Sequence, residues 1–522
     1  MPDAPRLTIY GLTLWAFLLP AGASAAPAIA GVFNNYSYTQ PGYPNSGIAP
    51  SSLIIITGTG LANATGEPVK LQSTAAPGLP TTLNGATVQV SVGGVTVSPG
   101  LYYALPTQLA AVLPANTPTG TASVSVSVGG GAPSPAFQFQ VVAAAPGLDT
   151  YYGTGGGMVT ATDNKTGALI DFTHSATPGQ TIVLWGSGFG ADTADSDTVF
   201  SSLPHPVNQS STKVYIGDVE ASVVYAGSSG YPGLDQIDVT IPANVGVGCR
   251  VSVVAIVSGV ASNFVLIPIN PGGGVCSDPM YNYDGTQLAA ALTATVTTGI
   301  VQIEQLPGFP LAAVNFVSNT DGNAYTALGP LSLGGCTVQQ GTGPAQYGGT
   351  LKDLSVGTVT LQGPEGTYTL PTATGGLPNG AIPASGGTFV FTGAGSTDVG
   401  PFNVTVTLAP LMTWTNSSDA ETVTHSQGLR INWSGGQPSS YIQIYGQSIT
   451  STPGVNATFE CFVPQSVGSF TVPPYVLDDL PVGTGNVHVE NFTANVPFVV
   501  SGVEYPYSSS GNSISVAKVK YQ

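Results

Sequence analysis

Residues 50–61 read PSSLIIITGTGL, and residues 178–189 read PGQTIVLWGSGF. The same phrase is written twice, 128 positions apart. In each copy a Pro step opens an aliphatic run that stops at a Gly-x-Gly turn. That is the pattern of a buried strand ending where the backbone needs positive φ or a close approach. The duplication continues beyond this phrase. QLAAVLPANTPTGTASVSVSV from Gln108 aligns with QIDVTIPANVGVGCRVSVVAI from Gln236 at the same offset, matching Gly120 with Gly248. Between the blocks, VQVSVGGVTV corresponds to TKVYIGDVEASVV after a small shift in register. Each unit closes on an alternating strand, FQFQVV at Phe137 and NFVLIPI at Asn263.

Within each copy the period is two. In TASVSVSVGG, Val124, Val126 and Val128 share one face and the serines the other. Short strands at intervals of about 8–12 residues predict an immunoglobulin-like β-sandwich. The predicted fold class is all-β: tandem immunoglobulin-like β-sandwiches over residues 26–146 and 147–274, then a β-rich, sandwich- or jelly-roll-like C-terminal domain over 275–522. That last domain reads either as one unit or as two subdomains split near residue 410. Its strands include GTLKDLSVGTVTLQGPEGTYTL from Gly349 and GGTFVFTGAGSTDVGPFNVTVTL from Gly387, with Trp414 and Trp433 bracketing a hairpin-rich stretch.

The chain has 7% charged residues, 69 Gly and 43 Pro, yet is 42% hydrophobic, which separates it from disordered chains. Its formal charge of −17, from 26 acidic and 9 basic residues, leaves no basic patch and argues against nucleic acid as a partner. Residues 1–25 combine Arg6, an apolar run and the small-x-small step Ala23–Ala25, and are expected to be an export signal cleaved before Ala26. No later apolar run is long enough to span a bilayer as a helix. The expected location is secreted or extracellular, with periplasmic residence left open.

Four cysteines remain, Cys249, Cys276, Cys336 and Cys461. An even, small number in an exported chain points to two disulfides. Of the three pairings, Cys249–Cys276 and Cys336–Cys461 are favoured because each stays within one region. A zinc site lacks the usual close Cys–Cys or His–Cys spacing.

The stretches GIAPSSLIIITGTGL and LPTTLNGATVQVSVGGVTVSPGLYYALPTQLAAVLPANTPTGTASVSVSVGG, then APGL at Ala145, resemble a family of exported acidobacterial proteins. Its domains are related to the immunoglobulin-like IPT/TIG modules. The DVGPF turn, the TWTN and NWSGG strands, Cys461 and FTVPPYVL follow in the order in which those proteins finish. The resemblance implies two sandwiches in tandem over about residues 27–270 and a β-rich C-terminal domain. It implies no catalytic residues.

The chemistry-bearing residues are few. Ser187 lies between glycines, but its counterpart at the offset of 128 is Thr59, which marks a turn position rather than a nucleophile. The four histidines, His174, His205, His425 and His488, show no metal-hydrolase spacing. Asp192, Asp195 and Asp197 form the densest carboxylate group. They read either as a solvated loop or as hard oxygen ligands for Ca2+, the one cofactor the sequence offers. Tyr102, Tyr103, Tyr151 and Tyr152 sit in Gly- and Ser-flanked segments that suit ligand contact, sugar stacking included, or the rims of sandwich cores.

The leading expectation is a secreted, non-enzymatic protein with a structural, adhesive or ligand-binding role toward an extracellular or cell-surface partner, polysaccharide or protein. The alternative is a secreted carbohydrate-active enzyme with Ig-like spacers. That needs a clustered acid pair, drawn from Asp284, Glu304, Asp353, Glu365, Asp398 and Glu421.

Overall fold

The computed structural model describes residues 26–63, 77–201, 203, 205–292, 294–319, 332–341, 350–370 and 374–522. The expected export signal, residues 1–25, lies outside them. The described chain is all-β, with two short α-helices, Gly285–Ala291 and Pro474–Leu477. Among the described residues no helix is long and apolar enough to cross a membrane.

Each repeat folds into an immunoglobulin-like sandwich with its own core. In the first, Ala28–Asn34, Leu53–Thr59, Gln108–Val112 and Gly100–Ala104 form one sheet. Thr82–Leu83, Ala86–Val92, Gly120–Val128 and Phe137–Val141 form the other. The alternation of valines works as its period requires: Val88, Val90, Val124 and Val126 are buried against Ile54, Ile56 and Leu109. The second sandwich repeats the pairing of its central strands at the same offset. Leu53 pairs with Val112 and Thr57 with Gln108 in the first copy; Thr181 pairs with Thr240 and Trp185 with Gln236 in the second.

The copies part in several places. One strand, Val219–Ser228, joins both sheets of the second where the first has the separate strands Val95–Val97 and Gly100–Ala104. Two further differences matter here. Gly120 pairs with Val141 and Gly248 with Ile269, but a bulge between Gly248 and Val251 then shifts the second copy by one residue. That bulge carries Cys249 and Arg250, both fully buried. The other departure is in the first strand. Ala28–Asn34 runs along Leu53–Thr59 with one bulge between Ile29 and Gly31. In the second copy the equivalent strand is split into Gly147–Leu148 and Ala161–Asp163, and residues 149–160 loop out between them.

The C-terminal region is built on one 11-stranded sheet. The 17-residue strand Tyr505–Tyr521 runs through its middle, antiparallel to Gly483–Phe492 and parallel to Val296–Leu306. Two small sheets cover different parts of it. The four strands Gly366–Leu370, Val359–Gly363, Gly387–Gly393 and Phe402–Leu408 enclose a core with Val301, Ile303 and Phe316. The three strands Met412–Trp414, Leu429–Gly435 and Ser469–Val472 enclose another with Ile442, Ile444 and Val487. Leu411 packs on the first core and Met412 belongs to the second.

Both disulfides form, Cys249–Cys276 and Cys336–Cys461, with Cα atoms 5.2 and 4.1 Å apart. The first closes a loop across 27 residues and the second across 125, worth roughly 3 and between about 4 and 5 kcal/mol in the chain-entropy picture. Disulfides of this kind belong to oxidising compartments.

The three units are packed together rather than strung out. Tyr43 of the first sandwich is buried in the C-terminal core, where its hydroxyl donates to the Asn456 carbonyl (2.9 Å) and accepts from the Asn456 N–H (3.2 Å). Tyr215 of the second sandwich stacks on Tyr475, ring centroids 4.2 Å apart, and the Tyr475 hydroxyl donates to Asp218 at 2.7 Å. Arg250 lies over the ring of Tyr281, 5.4 Å from its centroid.

Candidate functional site

The loop 149–160 is pinned at both ends. Tyr151 N–H donates to the Met158 carbonyl (2.8 Å), and Leu266 N–H to Gly157 (2.8 Å). The Thr150 hydroxyl oxygen accepts from Thr154 (3.1 Å) and Gly155 (3.3 Å), and Asn263 donates to the Gly155 carbonyl at 2.9 Å. Gly155 has φ +80°, and a Cβ there would meet the Ser37 carbonyl oxygen at 2.7 Å, so only glycine lets the loop lie against the first sandwich. At its tip Tyr151 and Tyr152 are 56% and 40% exposed, rings edge-to-face with centroids 5.0 Å apart. The other two predicted contact residues do structural work. The Tyr102 hydroxyl donates to the Pro232 carbonyl across the sandwich junction (2.8 Å), and that of Tyr103 accepts from Gln108.

The predicted carboxylate group lies where the two sandwiches meet. Asp192, Asp195 and Asp197 line an open pocket with Ser51, Ser228, Tyr231 and Asp235, and none of its lining side chains is cationic. Asp197 turns toward the first sandwich, where both its oxygens accept from Ala115 N–H (3.0 and 3.1 Å). Burial raises its carboxyl above the usual range against that donor, with Asp192 and Asp195 adding to the rise. Asp192 and Asp195 come together instead with His205, one ligand atom of each lying within 4.8 Å of the others. Asp235 stands behind them. Burial pushes its carboxyl up to about 8 although Phe189 N–H (3.0 Å) and Gly188 N–H donate to it. Sequence spacing does not reveal His205 or Asp235 as members, because the sheet brings them in from 10 and 40 residues beyond Asp195.

Ser187, set aside as a turn residue, is fully buried, and its hydroxyl oxygen accepts from Leu53 N–H at 2.8 Å. It seals the edge of the first sandwich.

Of the six acids considered for a catalytic pair, five are exposed. Asp284 caps Gly285–Ala291, Asp398 accepts from Ser355 N–H (3.0 Å), and Asp353, Glu365 and Glu421 lie on the surface. Glu304 is different. It sits on the large sheet, its oxygens accepting from Ser513 (3.4 Å) and Gln302 (3.3 Å), and it interacts electrostatically with Glu490, two strands away across Tyr505–Tyr521. A Cβ on Gly511 would meet Glu490 Oε1 at 2.7 Å, so that glycine makes the space the carboxyl occupies. Burial pushes Glu490 up to about 8, helped by Glu304 and Glu460, and pushes Glu460 up to about 7 against a hydrogen bond from Gln443. Glu460 and Glu490 alternate with buried residues in ordinary strands. Only the strand order joins Glu490 to Glu304.

No protein-family model matches the chain, and no curated protein matches it. Among solved structures it is similar to SGBP-B of the Bacteroides ovatus mixed-linkage glucan utilization locus, in complex with a mixed-linkage heptasaccharide. Identity is 10%, over 86% of this chain and 97% of that one, with a TM-score of 0.13. It is similar as well to the ICAM-5 D1–D4 ectodomain fragment (11% identity, 94% of this chain, 100% of that one, TM-score 0.13). A third is titin domains A168–A170 (10% identity, 67% of this chain, 98% of that one, TM-score 0.12). Likeness at this level assigns no ligand.

Proposed function

We propose that the protein is an exported, non-catalytic binding protein in which packed β-sandwiches hold the loop 149–160 outward as a contact surface. The observation that carries this is the exposed Tyr151–Tyr152 pair on a pinned loop that the second sandwich has and the first lacks. An ordered, solvent-exposed aromatic pair stacks on sugar rings at little entropic cost, so glycan is the ligand class. The two disulfides support export, as does the resemblance to exported acidobacterial proteins with IPT/TIG-related domains. The test is sedimentation of the oxidised protein with insoluble polysaccharides and bacterial envelopes, with soluble sugar assayed in the supernatant. Binding without sugar release is expected, and Tyr151→Ala/Tyr152→Ala should weaken it about tenfold, the factor for about 1.4 kcal/mol. Binding that survives this double substitution unchanged sinks the loop as the contact surface.

One observation favours the alternative, a carbohydrate-active enzyme with Ig-like spacers: the interacting Glu304 and Glu490 carboxyls on the large sheet. A carboxylic acid held protonated near neutral pH beside an ionised one is what glycoside hydrolysis requires. Sugar release that Glu490→Gln abolishes would establish this reading in place of the first.

A further inference from the structure

We infer that Asp192, Asp195 and His205 form a divalent-cation site that fastens the second sandwich's junction loop. Metal–ligand bonds of about 2.0–2.6 Å place donor atoms sharing one ion no more than about 5 Å apart. The three donor atoms here meet that limit, all within 4.8 Å of one another. An acidic cluster alone would say little. The second observation is that two of its buried polar atoms have no hydrogen-bond partner, Asp192 Oδ2 and His205 Nδ1, and that Asp192 is only 9% exposed. Leaving such atoms unpaired is costly, and a bound cation removes that cost.

The remaining bonds orient the donors rather than satisfy them. Asp192 Oδ1 accepts from Ala194 N–H (2.9 Å), Asp195 Oδ1 from Ser196 N–H (2.9 Å) and Asp195 Oδ2 from the Ser228 hydroxyl (2.7 Å). The His205 carbonyl accepts from Ser228 N–H (2.9 Å) and the Tyr225 hydroxyl (2.9 Å), so its backbone is tied to the strand Val219–Ser228. Asp197 adds a further carboxylate to the same pocket, which has no cationic side chain in its lining. At the offset of 128 the first sandwich carries Ala64, Glu67, Pro77 and Thr107 where the second has Asp192, Asp195, His205 and Asp235. The donor set is thus particular to the second copy.

Ca2+ takes oxygen ligands, whereas an imidazole nitrogen beside two carboxylates suits an ion of borderline softness, Zn2+ or Mn2+. The loop that would be fastened is the one that meets the first sandwich: Asp192 N–H donates to the Ser51 hydroxyl oxygen (3.0 Å) and Leu79 N–H to the Thr198 carbonyl (2.7 Å). A cation therefore stiffens the junction between the sandwiches.

The experiment titrates Zn2+, Mn2+ and Ca2+ separately into oxidised, chelator-stripped protein by calorimetry and follows Tm. One equivalent of Zn2+ or Mn2+ should bind and raise Tm. Asp195→Asn and His205→Gln should each weaken binding more than a hundredfold while the metal-free Tm stays near that of the parent. His174→Ala, which removes the exposed His174–Asp171 pair (3.1 Å), should change nothing. If His205→Gln destabilises the metal-free fold, the half-buried Asp195→Asn alone decides. Absence of binding overturns the assignment. So does a response to Ca2+ alone, binding that both site variants retain, or binding that His174→Ala abolishes.

Discussion

The two sandwiches share their strands, their offset and their hydrogen-bond register, yet meet the rest of the molecule differently. Thr59 is exposed; its counterpart Ser187 is buried and accepts from Leu53 of the other copy. Thr121 is exposed; its counterpart Cys249 sits on a bulge and is bonded to Cys276. A one-residue bulge in the first copy is a twelve-residue loop, 149–160, in the second. What the copies keep is what a sandwich core demands: the apolar face and the register that aims it inward. What they change lies at strand ends and loops, where side chains face solvent or a neighbour and the core imposes nothing.

The comparison can be tested at its strongest point first. Ile54 and Ile182 are both fully buried and occupy the same register position, Ile54 opposite Ala111 and Ile182 opposite Val239. Ile54→Ala and Ile182→Ala should each cost about 2–5 kcal/mol in urea unfolding. A loss confined to one of them would break the equivalence of the cores. Next, Cys249→Ser/Cys276→Ser should cost about 3 kcal/mol. That would show how much the second copy gains from a link the first does without; an unchanged midpoint would make the bulge neutral. The smallest effect discriminates most finely. Ser187→Ala leaves the Leu53 N–H without its acceptor and should cost about 1–3 kcal/mol, whereas Thr59→Ala should stay within about 0.5 kcal/mol. Equal effects would mean that the second copy's turn serves its own sandwich alone.

Much of this was legible in local pattern. Alternating Val124, Val126 and Val128 point inward because a strand has period two, whatever surrounds it. The pairs Cys249–Cys276 and Cys336–Cys461 followed from keeping each link within one region, and both form. The candidate sites were less legible. Tyr102 and Tyr151 look alike in sequence, but one is spent on the Pro232 carbonyl and the other stands exposed. His205 and Asp235 join Asp192 only after a sheet has closed, and Glu490 reaches Glu304 only through the order of strands in an 11-stranded sheet.

By itself, then, the sequence determined the all-β class and the duplicated sandwich. These rest on spacings of two residues within strands and on an offset of 128 between copies, and such periodicities act locally. Only the tertiary structure decided which tyrosines remain exposed, which carboxylates converge, and that Tyr43 of the first sandwich is buried in the C-terminal core. Those outcomes depend on contacts between residues hundreds of positions apart, and burial, which shifts a carboxyl or hides a hydroxyl, exists only once those contacts have formed.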